Sequence, residues 1–435
     1  MTSASAVQSA PPTHSRPSVS VICILAALVL LAYLPALTQP LIEDDYSNII
    51  QARVYGPLSG WGEMFHDPVF RLRAISWVLL NGLYQSFGMH APGYYAISIL
   101  LHLINTWLVY ALGSWRALGY ERAAWAAAFF AIYEGHQEAI MWISADAELL
   151  MLLFGLASLL AWIRFLEDRS TLSYAASLIA FCLALLSKES AVVFILLLAL
   201  PLAFERARRR SFPYLLPFGG LALLAALSVG YTRSYSFRFQ DGSFSLRAPF
   251  WLIWPDNMAR MLWIWGLLSL VAIWLWRPSD YKRVVAIGAC WMGIGLIPYS
   301  FLTYSLHIPS RQLYLASVGL SIIVGLALQT VPRRLWTHRR GVMIAVCTLI
   351  VSLNVIYLWT KKRSQFLERA APTEQLIALA RRTSGPIYIR CFPRPHLVAE
   401  SAVQLAIGLR ATDLVWTPED ASSRHATATF CFQGR

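Results

Sequence analysis

GYYAISILLHLINTWLVYAL, residues 93–112, is a run of 20 residues without Asp, Glu, Lys or Arg. A helix needs about 20 mostly apolar residues to cross the hydrocarbon core of a bilayer. Similar runs recur along the 435-residue chain, which is 57% hydrophobic and 14% charged. Since a soluble domain carries roughly a quarter charged residues, the sequence predicts an all-α polytopic membrane protein.

The apolar runs predict eleven transmembrane helices. They lie near residues 19–37, 93–112, 123–141, 147–165, 172–187, 190–204, 213–231, 258–276, 284–302, 312–331 and 340–359. The formal charge of +13 comes from short bursts of Arg and Lys between these runs, a pattern that indicates topology rather than nucleic-acid binding. Five bursts fall on one side, predicted to be cytoplasmic: "SWRALGYER", "RFLEDRS", "ERARRRS", "RPSDYKR" and "PRRLWTHRR". "KKRSQ" after the last run conflicts with this topology.

Three regions of the chain are predicted from this topology. Residues 1–18 are expected to form a disordered cytoplasmic tail and 19–360 a transmembrane domain, whose first outer loop is 38–92. A cleaved signal peptide is the alternative for the first apolar run, but no small-residue cleavage site follows it. Within the loop, 70–88 begins with Arg71 and Arg73, which favours an amphipathic helix at the membrane interface over a further span.

The third region, 361–435, is more polar and predicts a small α/β unit. Its helices alternate with candidate strands at "PIYIRC" and "ATFCF". Cys391 and Cys431 lie in these strands. An oxidising compartment would permit a disulfide between them, and two reduced thiols are the alternative.

Unusual polar side chains gather on the predicted outer side. Asp44 and Asp45 follow the first run, and Lys188 and Glu189 lie in the tight "SKES" turn. The other members are Glu134, His136, Glu138, Asp146, Glu148, His307 and Arg311. Ionisable groups at membrane depth are costly and indicate function. The alternative is that they are hydrated ends of spans, as expected for Glu43.

Other sequence features bear on phosphate binding, on contacts between helices and on metal or nucleotide sites. In "SKES" the two charges either pair with each other, or Lys188 binds a phosphate. His102 and Asn105 are expected to form hydrogen bonds between helices. No zinc or iron–sulfur spacing and no nucleotide-binding glycine loop is present. A divalent metal at Asp44 and Asp45 is conceivable but is not predicted.

The order of these motifs resembles the membrane domain of TMTC-type protein O-mannosyltransferases. The motifs are the acidic pair, then residues 93–112, "FAIYEGHQEAIMWISADAELLMLLFGLASLLAW", "LALLSKESAVVFILLLALP" and "PSRQLYLASVGL". More broadly, residues 20–330 resemble GT-C glycosyltransferases, which include aminoarabinose transferases. Tyr133-Glu134 replaces the usual His-Pro pair, and 361–435 shows no tetratricopeptide repeats.

The resemblance implies an enzyme that uses a polyprenyl-phosphate-linked sugar. Asp44 matches the first acid of the family motif, Lys188 the Lys of its "KE" turn, and Arg311 with Tyr314 its "R-x-LYL" stretch. The catalytic candidates are therefore Asp44, Asp45 and Glu138, and the phosphate-binding candidates are Lys188, Arg311, Arg71 and Arg73. The supporting candidates are His136, Glu189, His307 and Tyr314.

The implied reaction needs a base and cations. Asp44 would take the proton of an acceptor hydroxyl while the sugar leaves the phosphate, and the cations would stabilise the leaving phosphate. The acceptor could be a protein, a lipid or a glycan, and the expected location is a bacterial inner membrane with the site facing the periplasm. A flippase of lipid-linked saccharides is the alternative. It is disfavoured because no internal repeat is present, and an inactive scaffold is a third alternative.

Overall fold

The computed structural model describes residues 17–67, 71–231, 245–303, 306–335 and 340–433. Short 3₁₀ turns separate many of its helices. The helices of the first half are α1 (Val19–Tyr33), α2 (Asp44–Tyr55), α3 (Trp61–His66), α4 (Ala74–Phe87), α5 (Ala91–Ala111), α6 (Tyr120–Ile132), α7 (Gln137–Ile140), α8 (Asp146–Asp168), α9 (Thr171–Leu185), α10 (Phe194–Phe204) and α11 (Leu216–Tyr231). They are followed by α12 (Phe250–Leu262), α13 (Trp265–Trp276), α14 (Tyr281–Leu296), α15 (Ser317–Leu335), α16 (Arg340–Tyr357) and α17 (Arg363–Ala380).

Fewer helices than predicted are long enough to cross a membrane. Among the described residues, five segments qualify: Val19–Thr38, Ala91–Ser114, Ile143–Asp168, Arg208–Ser228 and Gly341–Ala380. A sixth is added if α12 and α13, bent by 70° at their junction, form one span. The prediction of eleven spans is not confirmed, because several apolar runs are divided by turns. The run at 123–141, for example, stops being α-helical at Ile132, before a 3₁₀ turn at Glu134–His136.

Glycines bring the central helices together. A Cβ on Gly319 of α15 would lie 2.3 Å from the backbone oxygen of Gly288 in α14. Further along α15, a Cβ on Gly325 would lie 2.7 Å from the backbone nitrogen of Ala126 in α6. Small residues allow such close backbone contact between membrane helices. The predicted hydrogen bonds are also present, since His102 Nδ1 lies 2.7 Å from Tyr314 Oη and Asn105 donates to the Leu149 carbonyl.

The charged loops predicted to share one side are in contact. Four of the five meet through a set of polar pairs: Trp115 Nε1 with Glu205 (2.6 Å), Arg208 with Glu167 (3.1 Å), Arg283 with Glu205 (3.7 Å), and Arg122 with Asp280 (3.1 Å). The side chains of 332–340 lie outside the described part of the chain. These four loops therefore lie at one end of the helical bundle, as the charge pattern indicated.

The C-terminal residues form a small parallel sheet. Its strands are β1 (Ile387–Cys391), β2 (Leu414–Val415) and β3 (Ala428–Cys431), in the order β2-β1-β3. Helices α18 (His396–Ile407) and α19 (Pro418–Ser423) connect them. Buried apolar side chains of the sheet and of α18 pack against Leu376 and Ala380 of α17. Cys391 and Cys431 form a disulfide. Helix α17 thus joins the sheet to the membrane helix α16.

Candidate active site

The acidic stretch lies at the start of α2, where its three carboxylates have different environments. Asp45 is fully buried and accepts hydrogen bonds from the backbone nitrogen of Ile42 (2.9 Å) and from the backbone nitrogen and Oγ of Ser144 (2.9 and 2.5 Å). Burial raises the pKa of Asp45 to about 7, although these donors oppose the rise. Asp45 therefore ties the first loop to the segment before α8.

Asp44, by contrast, has an exposed side chain in the first turn of α2. The free backbone N–H groups at a helix start favour a carboxylate there. The structure thus distinguishes the two acids: Asp45 is buried and holds the backbone, whereas the side chain of Asp44 is exposed.

Glu43 was expected to be a hydrated neighbour, and this expectation is wrong. Only 13% of its side chain is exposed, and its carboxylate binds Arg369 of α17 through two contacts of 2.6 and 3.0 Å. Arg394 of the C-terminal unit adds a third contact at 2.8 Å. Glu43 also has a positive φ of 47°, which is unfavourable for a residue with a side chain. These contacts hold the strained residue beside Asp44.

Two guanidinium groups meet on the ring of Trp142. The Cζ atoms of Arg311 and Arg369 lie 4.7 and 4.5 Å from the ring centre, within the range of a cation–π contact. Glu138 joins the two cations, 3.5 Å from Arg311 and 3.7 Å from Arg369. Arg311 and Glu138, predicted from separate loops, therefore belong to one cluster.

Lys188 lies in a second, buried cluster. Its Nζ forms an ion pair with Glu148, whose other oxygen accepts a hydrogen bond of 2.8 Å from Tyr299. Tyr299 also shares a hydrogen bond of 2.9 Å with Ser190. The adjacent Glu189 binds Arg73 through two contacts of 2.6 and 3.0 Å. The two charges of "SKES" thus have different partners, each supplied by another segment.

The start of α8 and the turn before it connect the acidic stretch of α2 to the buried Lys188 cluster. Ser144 binds Asp45, and Glu148 binds Lys188 one turn further on. Between them, Asp146 is buried and accepts a hydrogen bond of 2.7 Å from Ser98. The predicted corner "YEGHQEAIMWISADAE" therefore positions both the acidic stretch and the buried lysine.

Some predicted residues lie away from these clusters. His136 is buried, with Nε2 at 2.6 Å from Ser317 Oγ, and Tyr314 is buried against His102. His307 is 64% exposed and lies 3.3 Å from Asp256. The side chain of Arg71 is outside the described part of the structure. His136 and Tyr314 are therefore packed in the helix core.

Sequence reasoning missed several members of the clusters. They are Trp142, Ser144, Tyr299, Arg369 and Arg394. Trp142 and Ser144 lie in the segment "YEGHQEAIMWISADAE", whose concentration of polar residues marks it in the sequence. The contacts of Tyr299, Arg369 and Arg394 depend on tertiary structure, and no local pattern marks them.

Comparisons with known proteins give a consistent result. The family described as dolichyl-phosphate-mannose-protein mannosyltransferase matches residues 74–231. Protein O-mannosyl-transferase Tmtc1 of Drosophila melanogaster is 25% identical over 330 residues, which cover 62% of this chain and 38% of that protein. The chain thus spans well under half of this relative.

Solved structures share the fold at low sequence identity. ArnT from Cupriavidus metallidurans, bound to undecaprenyl phosphate, matches with a TM-score of 0.54 and 13% identity over 95% of this chain and 90% of its own. The oligosaccharyltransferase AglB from Archaeoglobus fulgidus, bound to an inhibitory peptide and a dolichol-phosphate, matches with a TM-score of 0.51 and 13% identity over 92% and 64%. Sequence and fold together confirm the resemblance of this chain to the GT-C membrane glycosyltransferases.

Proposed function

We propose that the protein transfers a sugar from a polyprenyl-phosphate-linked donor to an acceptor hydroxyl, with Asp44 as the general base. The observation that carries the proposal is the difference between the acids of α2. Asp45 is buried and held by three donors, whereas the preceding residue, Asp44, has an exposed side chain. The solved neighbours bound to undecaprenyl phosphate and to a dolichol-phosphate support the donor class.

In the proposed reaction Asp44 acts on the acceptor and the sugar, and cationic side chains act on the leaving phosphate. Asp44 accepts the proton of the acceptor hydroxyl, and its negative charge stabilises the oxocarbenium character of the transferred sugar. The leaving phosphate takes both electrons of the broken C–O bond, and cations stabilise the charge that develops on it. Arg311, Lys188 and Arg73 are the candidates for this role.

Each of these cations already has a carboxylate partner, so phosphate must compete for it. The contact between Arg311 and Glu138 is the longest, at 3.5 Å, and the Arg311 side chain is 25% exposed. Lys188 is 10% exposed and Arg73 17%. We therefore expect Arg311 to meet the phosphate first, and Glu138 is the next candidate for the base if Asp44 does not have that role.

The disulfide supports an outer location for the reaction. Bonds of this kind persist in oxidising compartments such as the periplasm. Cys391 and Cys431 bridge β1 and β3, and Arg394 of the same unit contacts Glu43. Because the disulfide and the acidic stretch lie at one end of the molecule, the proposed site faces the non-cytoplasmic side. We propose a multi-pass protein of a bacterial inner membrane with a protein, lipid or glycan as the acceptor.

The decisive experiment is sugar transfer by wild type and by Asp44→Asn in reconstituted membranes. Labelled polyprenyl-phosphate mannose and other polyprenyl-phosphate sugars serve as donors. We expect Asp44→Asn to lower kcat by 10²-fold or more, in line with the loss of a general base, and to keep the affinity for the donor. Glu63→Gln, in the same loop and exposed, is the matched control.

Two results would contradict the proposal. Equal transfer by wild type and Asp44→Asn would remove Asp44 from the role of base. Movement of labelled lipid across the bilayer without consumption of donor would instead establish the flippase.

A further inference from the structure

Trp142 has an extended backbone between α7 and the turn before α8. Only 7% of the residue is exposed. Glu138 precedes it by four positions and contacts Arg311, and Ser144 follows it by two positions. The hydroxyl of Ser144 donates to Asp45. This short segment therefore reaches the candidate donor site at one end and the acidic stretch at the other, with Trp142 in between.

The face of the Trp142 ring carries two cations. The Cζ atoms of Arg311 and Arg369 lie 4.7 and 4.5 Å from the ring centre. An indole face attracts a cation more strongly than other aromatic rings, and the attraction increases where water is excluded. Two guanidinium groups on one ring repel each other. The negative face of the ring and the shared carboxylate of Glu138 offset this repulsion.

The polar edge of the ring takes no part in this arrangement. The Nε1 atom of Trp142 is buried and has no hydrogen-bond partner in the part of the chain that the structure describes. A buried N–H group without a partner costs stability, and Phe at this position would avoid that cost. The larger indole face binds cations more strongly than Phe. The contacts of Trp142 with the two arginines thus offset the unpaired N–H.

The carboxylate of Glu138 alone does not fix Arg311. Its oxygens lie 3.5 Å from Arg311 and 3.7 Å from Arg369, and both distances are long for an ion pair. A long arginine side chain loses rotational freedom when it is held in one conformation. Contact with the rigid ring therefore restricts the guanidinium group where the carboxylate does not.

The two arginines have different tasks in the proposed reaction. Arg311 is the cation that we expect to meet the donor phosphate first. Arg369 donates from Nε and Nη2 to Glu43 at 3.0 and 2.6 Å. Glu43 is the residue before Asp44, the candidate base. One ring thus contacts both the cation on the donor side and the cation that holds the backbone beside the base.

We propose that Trp142 is a positioning residue that holds Arg311 and Arg369 in one fixed geometry. The relative position of the donor phosphate and of Asp44 then depends on this ring. Small misplacements of reacting groups lower the rate strongly. The inference rests on the proposed function, and it adds that donor binding and placement of the base depend on one side chain.

Comparison of Trp142→Leu with Trp142→Phe in phosphatidylcholine nanodiscs tests the inference. Polyprenyl phosphate is the probe for binding, and labelled polyprenyl-phosphate mannose is the donor for transfer. We expect Trp142→Leu to weaken binding about tenfold and to lower kcat about tenfold, because each arginine loses a cation–π contact. Trp142→Phe keeps an aromatic face and loses no hydrogen bond, so we expect a change of at most about threefold in either quantity.

The matched control is Trp61→Leu. Trp61 is half-buried in the same outer loop as the acidic stretch, and its ring packs edge-on against Phe65. We expect this variant to change neither binding nor kcat. A ring that only fills space would act differently from the proposed role, since its loss would lower the melting temperature and the fraction of active protein without changing the affinity for polyprenyl phosphate.

Two further backgrounds assign the losses to the two arginines. In Arg311→Gln, the added change Trp142→Leu should no longer weaken binding of polyprenyl phosphate. In Arg369→Gln, it should no longer lower kcat, because the contact that it removes is already absent.

The outcomes separate the inference from the proposed function. Losses in Trp142→Leu that are largely recovered in Trp142→Phe, and that disappear in the arginine backgrounds, support the inference. Unchanged binding and kcat in Trp142→Leu overturn it, as do equal losses in the Leu and Phe variants. Equal transfer by wild type and Asp44→Asn would contradict the proposed base instead, and binding of polyprenyl phosphate would still decide the role of Trp142.

Discussion

Glu43 and Arg369, which are 326 positions apart, form a two-contact ion pair of 2.6 and 3.0 Å. The pair joins the residue before Asp44 to the helix that carries the C-terminal sheet. Arg394 reinforces it from within the C-terminal unit. The C-terminal segment 361–435, for which the sequence indicated no role, thus holds Glu43 and the adjacent candidate base Asp44 in position.

This relationship predicts that Arg369→Lys lowers transfer although Arg369 need not touch the substrate. Lysine keeps the charge but cannot reproduce the two parallel contacts with a carboxylate. We expect kcat to fall about tenfold, equivalent to about 1.4 kcal/mol, with little change in KM for the donor. Steady-state transfer in reconstituted membranes measures both.

The control for this variant is Arg382→Lys, at an exposed position just beyond α17. A double-mutant cycle with Glu43→Gln isolates the pair, and we expect strongly non-additive losses. Additive losses would show that the two residues act independently and that the positioning role is wrong.

The buried carboxyl of Asp45 predicts a pH dependence of stability. Its pKa is about 7 in the fold, against an ordinary value of about 3.8, so the folded state binds more protons between these values. The contribution of Asp45 to the free energy of unfolding is therefore full below pH 4 and is lost as the pH rises to 7, by at most about 1.4 kcal/mol per pH unit. Above pH 7 it no longer changes.

Thermal unfolding of the purified protein between pH 4 and 8 tests this dependence. Asp45→Asn should have a flatter profile than wild type across pH 4–7, whereas Glu63→Gln should keep the wild-type slope. Identical slopes in Asp45→Asn and wild type would assign the titration to another group.

The helical class and the grouping of the loops could be predicted because both depend on local composition. Runs such as 93–112 predict membrane helices, and α5 covers this run up to Ala111. Arg bursts mark one end of the bundle, and Trp115, Glu205 and Arg208 meet there. The number of spans could not be predicted, because turns such as Glu134–His136 interrupt runs that remain apolar.

The partners of the charged residues depend on the tertiary fold. Lys188 and Glu189 are adjacent, and local reasoning offered a pair between them. Their partners Glu148 and Arg73 come from distant segments. Glu43 was misassigned for the same reason, since Arg369 lies in a different predicted domain.

The disulfide predicts that the stability of the C-terminal unit depends on Cys391. The bond closes a separation of 40 residues, and its removal typically costs about 2–4 kcal/mol. We expect Cys391→Ser to lower the melting temperature of the unit and to reduce transfer, since Arg394 three residues later contacts Glu43. Thermal unfolding with and without reductant measures the effect. Cys290→Ser, at an exposed free cysteine, should change neither property.

The buried pair of Lys188 and Glu148 predicts a large coupling. Removing one partner leaves an unpaired charge in the core, which costs about 3–5 kcal/mol. We therefore expect Glu148→Gln to be severely destabilised, and the double variant Glu148→Gln with Lys188→Met to recover much of the loss. Exposed Lys282→Met should be neutral.

The double variant also separates the structural role of Lys188 from its proposed role in binding phosphate. If Lys188 meets the donor, the folded double variant has a higher KM for the donor than wild type, because a cation near the phosphate is lost. If Lys188 only neutralises Glu148, the KM stays at the wild-type value. Donor titrations of transfer by both proteins at a temperature where both are folded distinguish the two results. An unchanged KM would leave Arg311 and Arg73 as the cations of the donor site.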